Sequence, residues 1–262
     1  MAGAKKSWIA QLLQFDRDRD TFVSPQAQVF GNEPRLFGGL IAAQALGAAG
    51  ATVDPVKLPQ SLHLYFVRGG VYGVAVEFQV ERTRDGRSFD TRRVTAVQNG
   101  AVILEMIASF HLPEPGADRH PPPVVTVGLE DAVAKDPSID FADYFEIRTM
   151  PDDTSEFAIP PFWIRTRDEI EDDPLVRSCV LAFMSDFGPV PVARPPELPA
   201  DGFAASLDHS VWFHRAFDPH QWHRYDVDPV NNSDSRGLVR GSLYNTDRTL
   251  IATTSQEALW RS

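Results

Sequence analysis

The sequence predicts an α+β fold: two repeats, each a helix wrapped by an antiparallel sheet, joined into one continuous sheet. Three observations carry this. Residues 36–53 and 175–187 are apolar nearly all the way round, where a surface helix would show a polar stripe. Each stretch is followed by strand-like runs rich in Val, Ile, Phe and Thr. The runs of the last third also repeat those of the first half: Ser206-Leu-Asp-His-Ser-Val-Trp-Phe213 echoes Ser61-Leu-His-Leu-Tyr-Phe66, and Ser235-Arg-Gly-Leu-Val-Arg240 echoes Arg92-Arg-Val94. Only two copies exist, which makes the duplication a matter of architecture rather than a solenoid.

Taken in order, residues 1–29 read as a short helix and a charged connection, with Asp16-Arg-Asp-Arg-Asp20 as a solvated turn. The first buried helix opens at Gly38-Gly39, where little side chain shields the backbone N–H groups. Those groups lack intrahelical partners and the helix dipole favours an anion there, so this start is a site for developing negative charge. The length of residues 36–53 would suit a bilayer, but Gln44, the glycines and the many alanines make the run too weakly apolar, and no second span is expected. Strand-like runs follow at 61–68, 73–83, 88–99 and 101–111. Asp85-Gly86 and Asn99-Gly100 fall between runs, a strong hairpin signal. The proline-dense residues 113–125 read as a stiff extended connector. The expected organisation is an N-terminal repeat over 1–112, a linker over 113–140 and a C-terminal repeat over 141–262. Mixed helix and loop are expected over 129–161, then a strand at 162–167 and the second helix from Leu175 to a stop at Gly188-Pro189.

At 262 residues, 43% hydrophobic and 23% charged, the chain has the composition of an ordinary globular protein. A net charge of −11 lacks the basic footprint of a nucleic-acid binder. The single cysteine, Cys179, permits no internal disulfide and fits a reducing compartment. No apolar segment follows Lys5 and Lys6 as a signal peptide would require, so cytoplasm is the expected location.

Asp208 stands out as a carboxylate in an otherwise apolar and aromatic strand, where it must be paired or used. Asp208-His209-Ser210 is no catalytic triad, because strand neighbours point to opposite faces. No Gly-x-Ser-x-Gly elbow, P-loop or dinucleotide fingerprint occurs. His209, His214, His220 and His223 match no zinc spacing and are expected to pack among Trp212, Trp222 and Tyr225, with no metal. Gln256, in the last strand-like run, is an uncharged amide able to orient a water or a carboxylate.

Several blocks together resemble the acyl-CoA thioesterase II family: Phe37-Gly-Gly-Leu-Ile-Ala-Ala-Gln-Ala45, Ser61-Leu-His-Leu-Tyr-Phe-Val-Arg-Gly69, residues 80–94, Leu207-Asp-His-Ser-Val-Trp-Phe-His-Arg215 and Ser255-Gln-Glu-Ala-Leu259. The resemblance implies a double-hotdog fold, in which each helix lies in a curved sheet. It implies hydrolysis of fatty acyl-CoA thioesters by water, in lipid metabolism, with no covalent intermediate, metal or cofactor. On this reading Asp208 is the general base, Gln256 helps to hold the water, and Gly38 and Gly39 stabilise the thioester oxyanion. The family's third polar partner, a Ser or Thr, is expected in the segment before Arg236-Gly237. Counting back gives Val230 or Asn231 at that place, so Asn231, Asn232 and Ser233 are the candidate substitutes. The missing hydroxyl keeps a non-catalytic acyl-thioester binder open as an alternative, beside an enoyl-thioester hydratase. Joined sheets can pair again, which allows a homo-oligomer, dimer or higher.

Overall fold

The computed structural model describes residues 6–26, 35–121, 128–135, 142–153, 159–195, 197–198 and 202–261. In chain order the elements are α1 (Trp8–Leu12), β1 (Asp16–Asp18), β2 (Thr21–Ser24), α2 (Gly38–Gly50), β3 (Leu58–Phe66), β4 (Val76–Asp85), β5 (Phe89–Gln98) and β6 (Ala101–His111). The second half supplies β7 (Val133–Lys135), β8 (Phe145–Thr149), β9 (Phe162–Thr166), α3 (Pro174–Met184), α4 (Pro189–Val192), β10 (Phe203–Ser206), β11 (Asp208–Phe213), β12 (His223–Ser233), β13 (Arg236–Asn245) and β14 (Leu250–Arg261).

The strands form one antiparallel sheet in the order β1-β2-β4-β5-β6-β3-β11-β14-β13-β12-β9-β8-β7, with β10 added beside β14. The two strands with the shared Ser-Leu opening, β3 and β11, meet at the centre, Leu64 opposite His209 and Ser61 opposite Trp212. The halves are therefore related by a pseudo-twofold axis through that pair, as the internal repeat requires. Asn99 and Gly100 both adopt positive φ (51° and 72°), the geometry of the tight turn joining β5 to β6.

Helix α2 is buried from Gly39 to Ala49, between the sheet and α3. Its small residues permit that approach: a Cβ on Gly39 would lie 2.2 Å from the Phe183 carbonyl oxygen, and one on Gly50 would lie 2.4 Å from Leu175. Gln44, the one polar side chain within α2, is satisfied on both ends. Its Nε2 donates to the Leu12 carbonyl (3.0 Å) and Ser24 Oγ (2.9 Å), and its Oε1 accepts from Gln26 Nε2 (2.6 Å). Helix α3 starts at Pro174, with Asp173 accepting from the N–H groups of Leu175 and Val176 (2.8 and 3.1 Å).

Several sequence expectations need correction. The charged run at 16–20 forms the edge hairpin β1–β2, not a simple turn; bidentate pairing of Arg82 with Asp20 at 2.9 Å ties this edge to β4. The expected linker over 113–140 contains β7, and the segment expected as helix and loop supplies β8; these strands close the far edge of the sheet. Residues 122–125 of the proline-dense stretch lie outside the described residues. A second apolar stretch does exist: Pro174–Val192, 19 residues, is long and apolar enough for a bilayer. It is broken at Gly188 (φ 88°) into α3 and α4, and its residues from Cys179 to Met184 are buried in the core.

Candidate active site

The two helices present different N-termini. That of α3 is closed by its own Asp173. That of α2 follows Phe37, which makes no side-chain capping bond, and no acidic residue lies in its first turn. The carboxylate there comes instead from the other half. Asp186, two residues beyond α3, places Oδ2 2.9 Å from the Gly39 N–H. Its Oδ1 accepts from Gln256 Nε2 at 3.0 Å, and the same Nε2 donates to Ser206 Oγ at 2.8 Å. Gly38 has no side chain because there is no room for one: a Cβ would stand 2.6 Å from Asp186 Oδ2 and 2.9 Å from the Phe66 ring.

Asp186 is 9% exposed and Gln256 1%. Burial pushes the Asp186 carboxyl up to about 7, against the opposing effects of the Gln256 and Gly39 hydrogen bonds. A buried carboxyl poised near neutrality, held by an amide and a helix start, has the properties of a general base. The pseudo-twofold counterpart lacks them. Two residues beyond α2 stands Thr52, whose hydroxyl donates to the Ala49 carbonyl (2.7 Å) and accepts from Arg92 Nε (2.8 Å). Of the two symmetry-related positions, one carries the carboxylate.

The expected pairing of Asp208 with Gln256 is not found. Asp208 lies on the opposite face of the sheet from the helices, where its Oδ1 accepts from the Glu257 backbone N–H at 2.8 Å. It opens onto an outer hollow of about 430 Å³ shared with His63, Tyr65, Arg93, Glu105 and Ser210. The cause is the break between β10 and β11 at Leu207. In an unbroken strand Ser206 and Asp208 would share a face, whereas here Ser206 turns inward to Gln256 and Asp208 outward. Asn231, Asn232 and Ser233 are also elsewhere. Asn231 Nδ2 donates to Ser233 Oγ (3.1 Å) in the exposed end of β12, and Asn232 Nδ2 to the Ala193 carbonyl (2.9 Å). Gln256 and Gly39 do reach the site, but the Gly39 N–H is engaged by the Asp186 carboxylate. The residues missed from sequence are Asp186 and Ser206. The readable signal for Asp186 was a lone carboxylate at the end of an all-round apolar helix, just before Gly188-Pro189.

The histidines expected to pack take separate partners. His209 Nε2 lies 2.8 Å from Ser185 Oγ, His214 Nε2 bonds Thr253 Oγ1, His220 Nε2 accepts from the Ile170 N–H (3.1 Å) and His223 Nδ1 donates to the Gln221 carbonyl (2.8 Å).

Two helices in one curved antiparallel sheet, joined about a pseudo-twofold, define a double-hotdog protein. The same architecture occurs in a hot-dog-fold protein of Alicyclobacillus acidocaldarius (TM-score 0.79, 17% identity, covering 98% of this chain and 99% of that one). Residues 28–111 match the acyl-CoA thioesterase N-terminal domain, and residues 155–259 match the acyl-CoA thioesterase family. The chain is 36% identical to human acyl-coenzyme A thioesterase 8 over 87% of its length and 81% of the relative's. It is 31% identical to acyl-CoA thioesterase 2 of Haemophilus influenzae, over 97% and 96% of the two chains. An acyl-CoA thioesterase II from Mycobacterium marinum superposes with a TM-score of 0.82 at 33% identity, over 97% of this chain and 98% of that one. The chain belongs to the acyl-CoA thioesterase family.

Proposed function

We propose that this protein hydrolyses fatty acyl-CoA thioesters with a water molecule activated by Asp186, without a covalent acyl-enzyme. The observation that carries the reading is the buried Asp186 carboxyl, raised to about 7 and held by Gln256 and the start of α2. In its ionised form Asp186 takes a proton from the water as the water oxygen bonds to the thioester carbonyl carbon. The Ser206 hydroxyl, which accepts from Gln256 and keeps its own proton to donate, orients that water beside the carboxylate, and Gln256 holds Ser206 and Asp186 in place. With the Gly39 N–H held by Asp186, the remaining first-turn N–H groups of α2, starting at Gly38, offset the charge that develops on the carbonyl oxygen. As the C–S bond breaks, the proton held by Asp186 passes to the departing sulfur, releasing CoA and the free acid.

A covalent route finds little support in the chain. Cys179 is fully buried against α2 and burial pushes its thiol up, away from the thiolate a nucleophile needs. Ser206 supplies beside Gln256 the hydroxyl that is missing at Val230 or Asn231, which favours the hydrolase over a non-catalytic binder. On the same reading the protein is cytoplasmic and forms a homo-oligomer; the free thiol of Cys179 supports the first, and the second is supported by β1 and β7 ending the strand order among the described residues.

The test is thiol release from acyl-CoA by wild type and Asp186→Asn across pH. The ionised base is the active form, so kcat/KM should fall as pH drops through about 7. Asp186→Asn should lose at least about a hundredfold of kcat. Wild-type turnover by the variant would sink the assignment, and an acyl adduct on the intact protein by mass spectrometry would sink the direct-water route.

A further inference from the structure

Two polar side-chain atoms, Oε1 of Gln256 and Nδ1 of His209, are buried with no hydrogen-bond partner. They belong to neighbouring strands. The β11–β14 register runs to Ser210 opposite Ser255, and the next residue on each strand toward the site, His209 and Gln256, is buried. The Gln256 amide favours the protonated ring, against the burial that disfavours it. The other ring nitrogen, Nε2, lies 2.8 Å from Oγ of Ser185, the residue that precedes Asp186.

We propose that His209 is a positioning residue: neutral and protonated on Nδ1, it donates to Gln256 Oε1 and locks the carboxamide with its NH₂ group turned toward Asp186 and Ser206. The inference rests on the reading of Asp186 as the base. It follows from counting donors. Both protons of Gln256 Nε2 are committed, to Asp186 Oδ1 and Ser206 Oγ. If the ring proton sat on Nε2, the ring would donate to Ser185 Oγ and the hydroxyl to the Ala182 carbonyl at 3.0 Å. The Nδ1 lone pair and Oε1 would then face each other as two buried acceptors. With the proton on Nδ1 one bond satisfies both, and the Ser185 hydroxyl turns its proton to Nε2.

The lock matters because a flipped amide would aim Oε1 at the carboxylate. That would repel the ionised base and accept from its protonated form, raising the pH at which Asp186 becomes active. The other titratable groups facing the site stay neutral. Burial pushes His209 down to about 4, and it pushes up the phenol of Tyr225 on β12, which donates to the Ser185 carbonyl at 2.7 Å.

The test uses two amide replacements with opposite reach. His209→Asn places its NH₂ near the position of Nδ1 and keeps the donation to Gln256. His209→Gln reaches toward Ser185 and loses it. His209→Asn should retain most of kcat, while His209→Gln should lose about tenfold with KM held within about twofold. The acid limb of His209→Gln should also move up by about half a pH unit or more. Equal kcat values and pH profiles for the two variants would overturn the proposal. Should either variant fail to fold, nitrogen NMR of the wild-type histidines decides: a neutral ring protonated at Nδ1 is expected for His209, and an Nε2-protonated ring overturns it. The tautomer is read without turnover, so it judges His209 even if Asp186→Asn proves active and the base is reassigned.

Discussion

Asp186→Asn should change how stability depends on pH, not only abolish turnover. A carboxyl that ionises at about 7 in the folded chain, against an ordinary value of 3.8, holds its proton over a range in which the unfolded chain has released it. Stability therefore falls as pH rises from about 4 and levels off above the folded pKa near 7. Integrating that difference from pH 5.5 to pH 8.5 gives a loss of about 2 kcal/mol attributable to this one group. The asparagine does not titrate. It does give up one acceptor, since Gly39 and Gln256 both donate to Asp186, and this costs about 1–3 kcal/mol at every pH. The constant cost cancels when each protein is compared with itself. Thermal or urea unfolding at the two pH values should show wild type losing about 2 kcal/mol more than the variant, or roughly 5 °C in Tm. An offset between the two proteins that is the same at pH 5.5 and pH 8.5 would refute the raised pKa and, with it, the case for Asp186 as a base near neutrality.

Asp208→Asn, on the outer face of the sheet, should leave kcat/KM within about threefold of wild type, as a steady-state thiol assay would show; a catalytic base would lose far more. Gly39→Ala forces a methyl group to within 2.2 Å of the Phe183 carbonyl, so about 2–3 kcal/mol of destabilisation is expected in urea, together with loss of activity. Gly116→Ala, in open space, is the neutral control. Cys179 should not react with a thiol reagent in the native protein and should react stoichiometrically in denaturant; rapid native labelling would show that the α2–α3 interface opens.

The elements that the sequence revealed share one property: their signal is local. An uncharged run with no polar face located α2, and two residues suited to positive φ located the turn at Asn99-Gly100. The repeated Ser-Leu opening foretold that β3 and β11 are equivalent, and they proved to be neighbours. The site was harder because its parts come from residues 39, 186, 206 and 256 and meet only through tertiary packing. Alternation along a strand fails at Leu207, so counting faces from Asp208 could not find that Ser206 points the other way. Asp186 lay inside a stretch read for its apolar character. Its value comes from the helix start it faces, a neighbour 147 residues away.

The 2.9 Å contact at Gly39 is a gauge of helix spacing. The donor is on α2 and the acceptor just beyond α3, and the distance between them is set where Gly39 lies against Phe183 and Gly50 against Leu175. The other carboxylate oxygen is held from the sheet by Gln256. Filling the α2–α3 seam with larger side chains, an ordinary route to a more heat-resistant protein, would move Asp186 relative to Gly39. With Asp186 as the proposed base, the core cannot be redesigned independently of the chemistry, because the interface that buries the helices also sets that contact.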